Sequence, residues 1–222
     1  MNRTLVGFAA ALGVVCVGLV GCAEAPPPEP RAANPVEAAK PKHPVTKEMW
    51  QDAEKAAGQP APLFEATDAN GASHSLASLT GDKPLVLYFI KDGCPCSNDV
   101  EPLYQRMAAK YGDKVRFAGV INGDADVAKA WLAKMETPYP VLLDPEIKVV
   151  KEYKADRSVY LLVIGPDGNI VRMWPGYSQT MLSELNATLA KMTGTEETPF
   201  DAAYAPKEPT SGCSFYSDDP TV

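Results

Sequence analysis

Three cysteines, Cys94, Cys96 and Cys213, carry the chemistry in this chain of 222 residues. The first two stand in Leu85-Val86-Leu87-Tyr88-Phe89-Ile90-Lys91-Asp92-Gly93-Cys94-Pro95-Cys96-Ser97. An apolar run of strand length ends in a short turn, and Cys94-Pro95 opens a helical pattern. Proline suits the first helical position, which puts Cys94 at the N-cap. A thiol there faces the positive end of the helix and N–H groups that lack helical partners. Both favour the thiolate, the nucleophilic form of the side chain. The chemistry this implies is attack by sulfur on a disulfide or a peroxide, with a second cysteine closing the cycle.

The elements that must hold these sulfurs alternate along the chain. Leu85–Ile90 reads as a strand followed by a helix through Tyr111, and residues 115–121 as a strand followed by a helix over 125–135. Residues 141–143 lead into a helical stretch at 145–153. Strands at 160–164 and 170–174 flank Gly165-Pro166-Asp167-Gly168-Asn169, a hairpin turn signal, and a helix over 180–192 closes the pattern. This order argues for an α/β sandwich with a central mixed β-sheet flanked by helices. The domain runs over 58–194. Before it, residues 45–57 suit a short helix with Met49, Trp50 and Ala53 on one side. Residues 195–222 form a C-terminal tail that carries Cys213. That cysteine either does nothing or, if the tail folds back with Phe215 on an apolar patch, reaches Cys94 as a resolving thiol.

The other end of the chain bears on location. Residues 1–21 contain one charge, Arg3, then a long run of Ala, Val, Leu and Gly that ends Leu19-Val20-Gly21-Cys22. A charged start, an apolar centre and small residues at the cut describe an export signal. The run from Leu5 to Val20 is shorter than the ~20 apolar residues of a membrane-spanning helix. The last four residues resemble the lipobox of bacterial lipoproteins, which implies cleavage before Cys22 and lipidation of its thiol. Residues 22–57 are then anchor and linker, rich in Pro and Ala, holding the domain off the membrane. Formal net charge is −7. No basic cluster suggests nucleic acid, and the acidic balance suits a body outside the cytoplasm. With Cys16 in the signal and Cys22 lipidated, three thiols remain, an odd set that fits exchanging partners better than a static framework.

Taken together, the motifs resemble the thioredoxin-like superfamily, in the redoxin (AhpC/TSA, peroxiredoxin-like) branch that includes membrane-tethered thiol-disulfide oxidoreductases. Gly58-Gln59-Pro60-Ala61-Pro62-Leu63-Phe64 is similar to the G-x-x-A-P-x-F opening of that branch, and Asp68-Ala69-Asn70-Gly71 and Gly81-Asp82-Lys83-Pro84 continue it. Phe89 stands five residues before Cys94 and Pro102 eight after it, which is the family's spacing around its nucleophile. The resemblance thus implies a thioredoxin-like fold with Cys94 as nucleophile and Cys96 or Cys213 as the thiol that resolves its intermediate.

Three departures and one agreement mark the active-site region. Ser97 stands where C-x-x-C would place the second cysteine, so Cys96 comes one residue early. A bridge across one residue closes a small ring that is readily reduced. Lys91 replaces the threonine that peroxidatic sites place three before the cysteine, and its charge would lower the pKa of a nearby thiol. Arg157 lies near the place of the peroxidatic arginine. Val159 occupies the usual cis-proline position, and a trans bond is expected there.

These readings give an extracytoplasmic thiol oxidoreductase without cofactor or metal, lipid-anchored, acting on protein disulfides or peroxides with a thiol electron donor. The competing class is a non-enzymatic module of this fold that binds copper or a protein. Copper chaperones of this fold resemble C-x-x-x-C with a later histidine, however, and no histidine follows His74. His74 reads as a surface residue, Asp144 and Asp167 as strand-end and turn residues, and Trp131, Trp174 and Tyr160 as core.

Overall fold

The computed structural model describes residues 43–217. The signal, Cys22 and most of the linker lie outside the described residues. A capping box between Thr46 and Met49 starts α1 (Lys47–Ala56). A small antiparallel pair, β1 (Glu65–Thr67) and β2 (Ser73–Ser75), leads to a short helix, α2 (Leu76–Thr80). The central sheet contains β3 (Leu85–Ile90), β4 (Arg116–Ile121), β5 (Val141–Leu143), β6 (Leu161–Ile164) and β7 (Ile170–Trp174), in spatial order β5-β4-β3-β6-β7. Strands β3, β4 and β5 run parallel, whereas β6 and β7 are antiparallel to their neighbours, so the sheet is mixed as expected. Its helices are α3 (Pro95–Tyr111), α4 (Ala125–Met135), α5 (Lys148–Glu152) and α6 (Gln179–Thr193).

Side chains alternate across a strand, so a central strand feeds two cores. On β3, Val86, Tyr88 and Ile90 join Leu103 and Met107 of α3, Trp131 of α4 and Leu182 and Leu185 of α6. Leu85, Leu87 and Phe89 join Leu76 and Leu79 of α2, Val150 of α5 and Tyr160 on the other face. Six consecutive buried residues explain why β3 reads as one unbroken apolar run. Residues on both sides of 58 and 194 share these cores. Ala53 of α1 is buried on the second face, and Ala202, Ala205 and Cys213 are buried on the first.

The stretch expected to be helical over 145–153 narrows to α5. Asp144 is the reason: its carboxylate accepts from the N–H groups of Lys148 and Val150, fixing the helix start, while Ile147 before it is left-handed at φ +49°. His74 is half-buried within β2. Its Nε2 lies 3.0 Å from Asp68 Oδ2, inside the β1–β2 turn that Asp68 also caps through Asn70 and Ala72 N–H.

Candidate active site

Helix α3 begins where β3 ends, and the turn between them sets the site. Gly93 takes φ +73°, a conformation glycine adopts without steric cost. Cys94 is the N-cap, extended at φ −79° and ψ 121°, and Pro95 is the first helical residue. Ser97, at the position of the missing cysteine, is 1% exposed and accepts from Lys91 N–H at 3.2 Å through its Oγ. It ties the turn to the first turn of α3, a structural use for the position the redox pair vacates.

The three cysteines meet at this point. They come from the β3–α3 turn, the first turn of α3 and the C-terminal segment, and all three are buried thiols. Cys94 is 2% exposed, Cys96 6% and Cys213 0%. The Cys94 Sγ accepts from Ser158 Oγ at 3.3 Å and from the backbone N–H of Cys213 at 3.3 Å. Its pKa is held down to about 3, first by the thiol of Cys96, then against burial by the thiol of Cys213, the Ser158 hydroxyl and the Cys213 N–H. Cys96 moves the opposite way, pushed far up by donating to Cys94, by burial and by the charge on Cys94. Cys213 is pushed up to about 12, first by burial and then by its bond to Cys94. One sulfur therefore holds a negative charge and two hold protons.

The source of the thiolate differs from the sequence reasoning. Cys94 makes no side-chain bond to its own helix N-terminus; its donors come from Cys96, Cys213 and Ser158. Lys91, expected to act on Cys94, instead turns its amine to the carbonyls of Ser214, at 2.7 Å, and Ser217. Arg157 likewise serves the C-terminal segment: Nε donates to Gly212 O at 2.8 Å, and Nη2 lies 3.1 Å from His43 Nδ1. Both cations hold backbone carbonyls beside the thiols rather than the nucleophile itself.

Ser158 was not singled out by its sequence context. It enters because Val159 takes φ +60°, a rare backbone state for a β-branched residue. Tight bonds hold that turn: Val159 N–H to Phe89 O at 2.8 Å and Phe89 N–H to Tyr160 O at 3.0 Å. The described residues contain no cis peptide bond, so the 158–159 bond is trans.

A second buried polar group lies further along α3. Glu101, fully buried, accepts from Thr137 Oγ1 at 2.7 Å, Tyr139 OH at 3.0 Å and Gln105 Nε2 at 3.2 Å, and it is bonded by Tyr88 OH. Burial raises its pKa against those four bonds. Its signal in sequence is a carboxylate on the inward face of a helix, on the Val100, Leu103, Tyr104 side. A cavity of about 700 Å³ opens elsewhere, lined by residues that include His74, Ser78, Asp124 and Pro145, and none of the three cysteines borders it. No cluster of His, Cys, Asp or Glu placed to hold a metal ion occurs among the described residues.

A five-stranded mixed sheet with a cysteine capping the helix after its central strand is the geometry of the redoxins, and the family model for AhpC/TSA matches residues 57–173, more than half of the chain. The chain belongs to the AhpC/TSA family. Solved structures agree on the fold. A conserved protein of Geobacillus kaustophilus superposes with a TM-score of 0.61 at 21% identity, covering 73% of this chain and 93% of that one. A thiol:disulfide interchange protein DsbE of Chlorobium tepidum gives 0.58 at 20% identity, covering 62% and 98%. A secreted disulfide oxidoreductase of Mycobacterium tuberculosis, homologous to Escherichia coli DsbE, gives 0.50 at 26% identity, covering 58% and 95%. No curated protein matches the chain. The family match ends at Met173, well before the segment that brings Cys213 to the site.

Proposed function

We propose that this AhpC/TSA-family chain is an extracytoplasmic thiol–disulfide oxidoreductase, lipid-anchored through Cys22, with Cys94 as its nucleophile. The observation that carries the reading is the meeting of three cysteines at the start of α3, where the Cys94 sulfur accepts from Ser158 Oγ and from the Cys213 N–H and its pKa is held down. In the first step the Cys94 thiolate attacks one sulfur of a client disulfide. A Cys94–client bond forms, the client's S–S bond breaks, and the departing thiolate takes a proton from solvent. In the second step Cys96 loses its proton and attacks Cys94. A Cys94–Cys96 bond forms and the client's other sulfur leaves as a thiol. Two electrons and two protons pass to the client, and a thiol donor restores the pair by the reverse exchange.

Cys96 is preferred to Cys213 for the second step because the first cause of its raised pKa is the Cys94 sulfur. That cause disappears when Cys94 is tied into a disulfide. For Cys213 the first cause is burial, which bonding of Cys94 to a partner sulfur does not itself remove.

Burial of Cys94 favours a second reading, reduction of a peroxide small enough to enter. There the thiolate breaks the O–O bond and becomes a sulfenic acid, an alcohol or water leaves, and condensation with Cys96 or Cys213 gives a disulfide and water. Peptide mass mapping of the soluble domain and its Cys94→Ser, Cys96→Ser and Cys213→Ser variants separates these. A mixed disulfide that accumulates with an oxidised protein client in Cys96→Ser, but not in Cys213→Ser, supports the first reading. Fast sulfenate at Cys94 with peroxide, and no exchange with protein disulfides, supports the second. Stoichiometric Cu(I) uptake by a chain inert in both assays would support the binding module instead.

A further inference from the structure

The segment Thr210–Phe215 runs through the site as an extended stretch held by isolated β-bridges. Gly212 N–H donates to Ser158 O at 2.9 Å, Ser158 N–H to Cys213 O at 3.0 Å, and Phe215 N–H to Asp156 O at 3.0 Å. Arg157 and Ser214 are antiparallel partners. On the N-terminal side of this stretch, Thr210 and Tyr177 exchange backbone bonds at 2.9 and 3.0 Å. The segment turns after Ser214, so that Cys213 lies with Cys94 in the first core and Phe215 in the second. Lys91 and Arg157 hold the segment by its carbonyl oxygens, at Gly212, Ser214 and Ser217. Such contacts recognise an extended backbone whatever its side chains. The position with least room for a side chain is Gly212. A Cβ there would lie 1.9 Å from Ser158 Oγ and 2.7 Å from Ser158 O. The second of these is a backbone atom that cannot swing away.

We propose that Thr210–Phe215 is a tethered occupant of a polypeptide-binding groove along residues 156–158, whose other occupant is a client strand of the same chemistry: extended, and carrying a cysteine preceded by glycine. This rests on the reading of Cys94 as nucleophile and adds regulation to it. With the strand in place Cys94 is 2% exposed, too little for a protein disulfide to reach its sulfur. The chain is therefore closed until a client strand exchanges with its own, by the edge pairing through which extended peptides add to a backbone partner. A tether presents its strand at roughly millimolar effective concentration, so only a good match competes with it.

The test uses the full soluble chain and its Gly212→Ala variant. Hydrogen exchange reads the segment at the amides of residues 158 and 212, and a labelled synthetic peptide of residues 210–217 with Cys213→Ser reads the groove in trans. The variant should exchange at Ser158 at least about tenfold faster, with the Tyr88 amide in β3 unchanged as the control for intact folding. It should bind the peptide where the parent chain binds it at least about tenfold more weakly, and a peptide carrying Gly212→Ala should fail to bind. Unchanged exchange at Ser158, or equal binding of the Gly and Ala peptides, overturns the proposal. If the glycine peptide binds the variant selectively while Cys94→Ser leaves exchange with a protein disulfide unchanged, the groove stands and the nucleophile reading falls.

Discussion

Replacing Ser158 with alanine removes one donor from the Cys94 thiolate and leaves the backbone pairing of residue 158 with the C-terminal segment in place. Hydrogen bonds to a charged group contribute about 1.5–3 kcal/mol. One pKa unit corresponds to about 1.4 kcal/mol, so the Cys94 midpoint should rise by about 1–2 units. The two neighbouring thiols make the assay clean. Cys96 and Cys213 are both pushed well above the ordinary thiol range, so below neutral pH only Cys94 gains or loses a proton among the three. Ultraviolet thiolate absorbance followed from neutral to acid pH therefore reports Cys94 alone. A midpoint rising from about 3 toward 4–5 is the expected result. Hydrogen exchange at Gly212 should stay slow, showing that the strand has not left. An unchanged midpoint with the strand still protected would refute the assignment of Ser158 as a donor to the thiolate.

Other consequences follow from the same geometry. Because the Cys94 pKa is depressed on folding, the unfolded chain binds more protons between pH about 3 and about 8.5, and stability rises with pH across that window. Cys96 and Cys213 are raised, so they reverse the slope above about 8.5; urea unfolding of reduced protein should show the acid limb flattened in Cys94→Ser. Phe215→Ala removes a buried ring, a change that costs about 3–5 kcal/mol where a core cannot collapse. Since that ring anchors the C-terminal segment, Cys94 alkylation should accelerate by a larger factor than the global urea midpoint falls, and equal effects would contradict local release. Glu101→Ala strands the hydroxyls of Tyr88, Thr137 and Tyr139 and should destabilise by about 3 kcal/mol or more, with Glu101→Gln costing less because its amide oxygen still accepts.

The sequence carried the sheet and its helices plainly. Six buried residues in β3, the Gly-containing turn at 165–169 and the Cys-Pro helix start are all local signals, and the five strands of the central sheet lie within a few residues of their expected bounds, whereas β1, β2 and α2 were not expected. What it could not carry was the company Cys94 keeps. Ser158 is one serine among several until the left-handed turn at Val159 places its hydroxyl 3.3 Å from the sulfur. Lys91 and Arg157 were legible as cations near the site. Their targets were not, because those are carbonyl oxygens of residues 212–217, far along the chain and without side-chain identity. The proline-rich composition after Gly194 argued for a tail beyond the domain. Proline removes donors, yet it does not prevent a segment from pairing at the residues between prolines, and Thr210 through Phe215 is such a stretch.

The arrangement of protons among the three sulfurs also orders their chemistry. Cys94 accepts from Ser158 Oγ and from the Cys213 N–H, and it is the one of the three whose pKa is held down. A protonated thiol is a poor nucleophile, which keeps Cys96 and Cys213 from competing for the first attack. Once Cys94 is bonded to a partner sulfur it no longer draws a proton bond from Cys96, and the leading reason for that thiol's raised pKa is gone. Cys96 is thus held in reserve by the charge whose consumption releases it. Cys213 is held by burial, and that ends only when its strand leaves the groove and carries the thiol away from Cys94. A client that enters as a strand therefore meets Cys94 with Cys96 beside it. An oxidant that enters with the strand still in place meets all three.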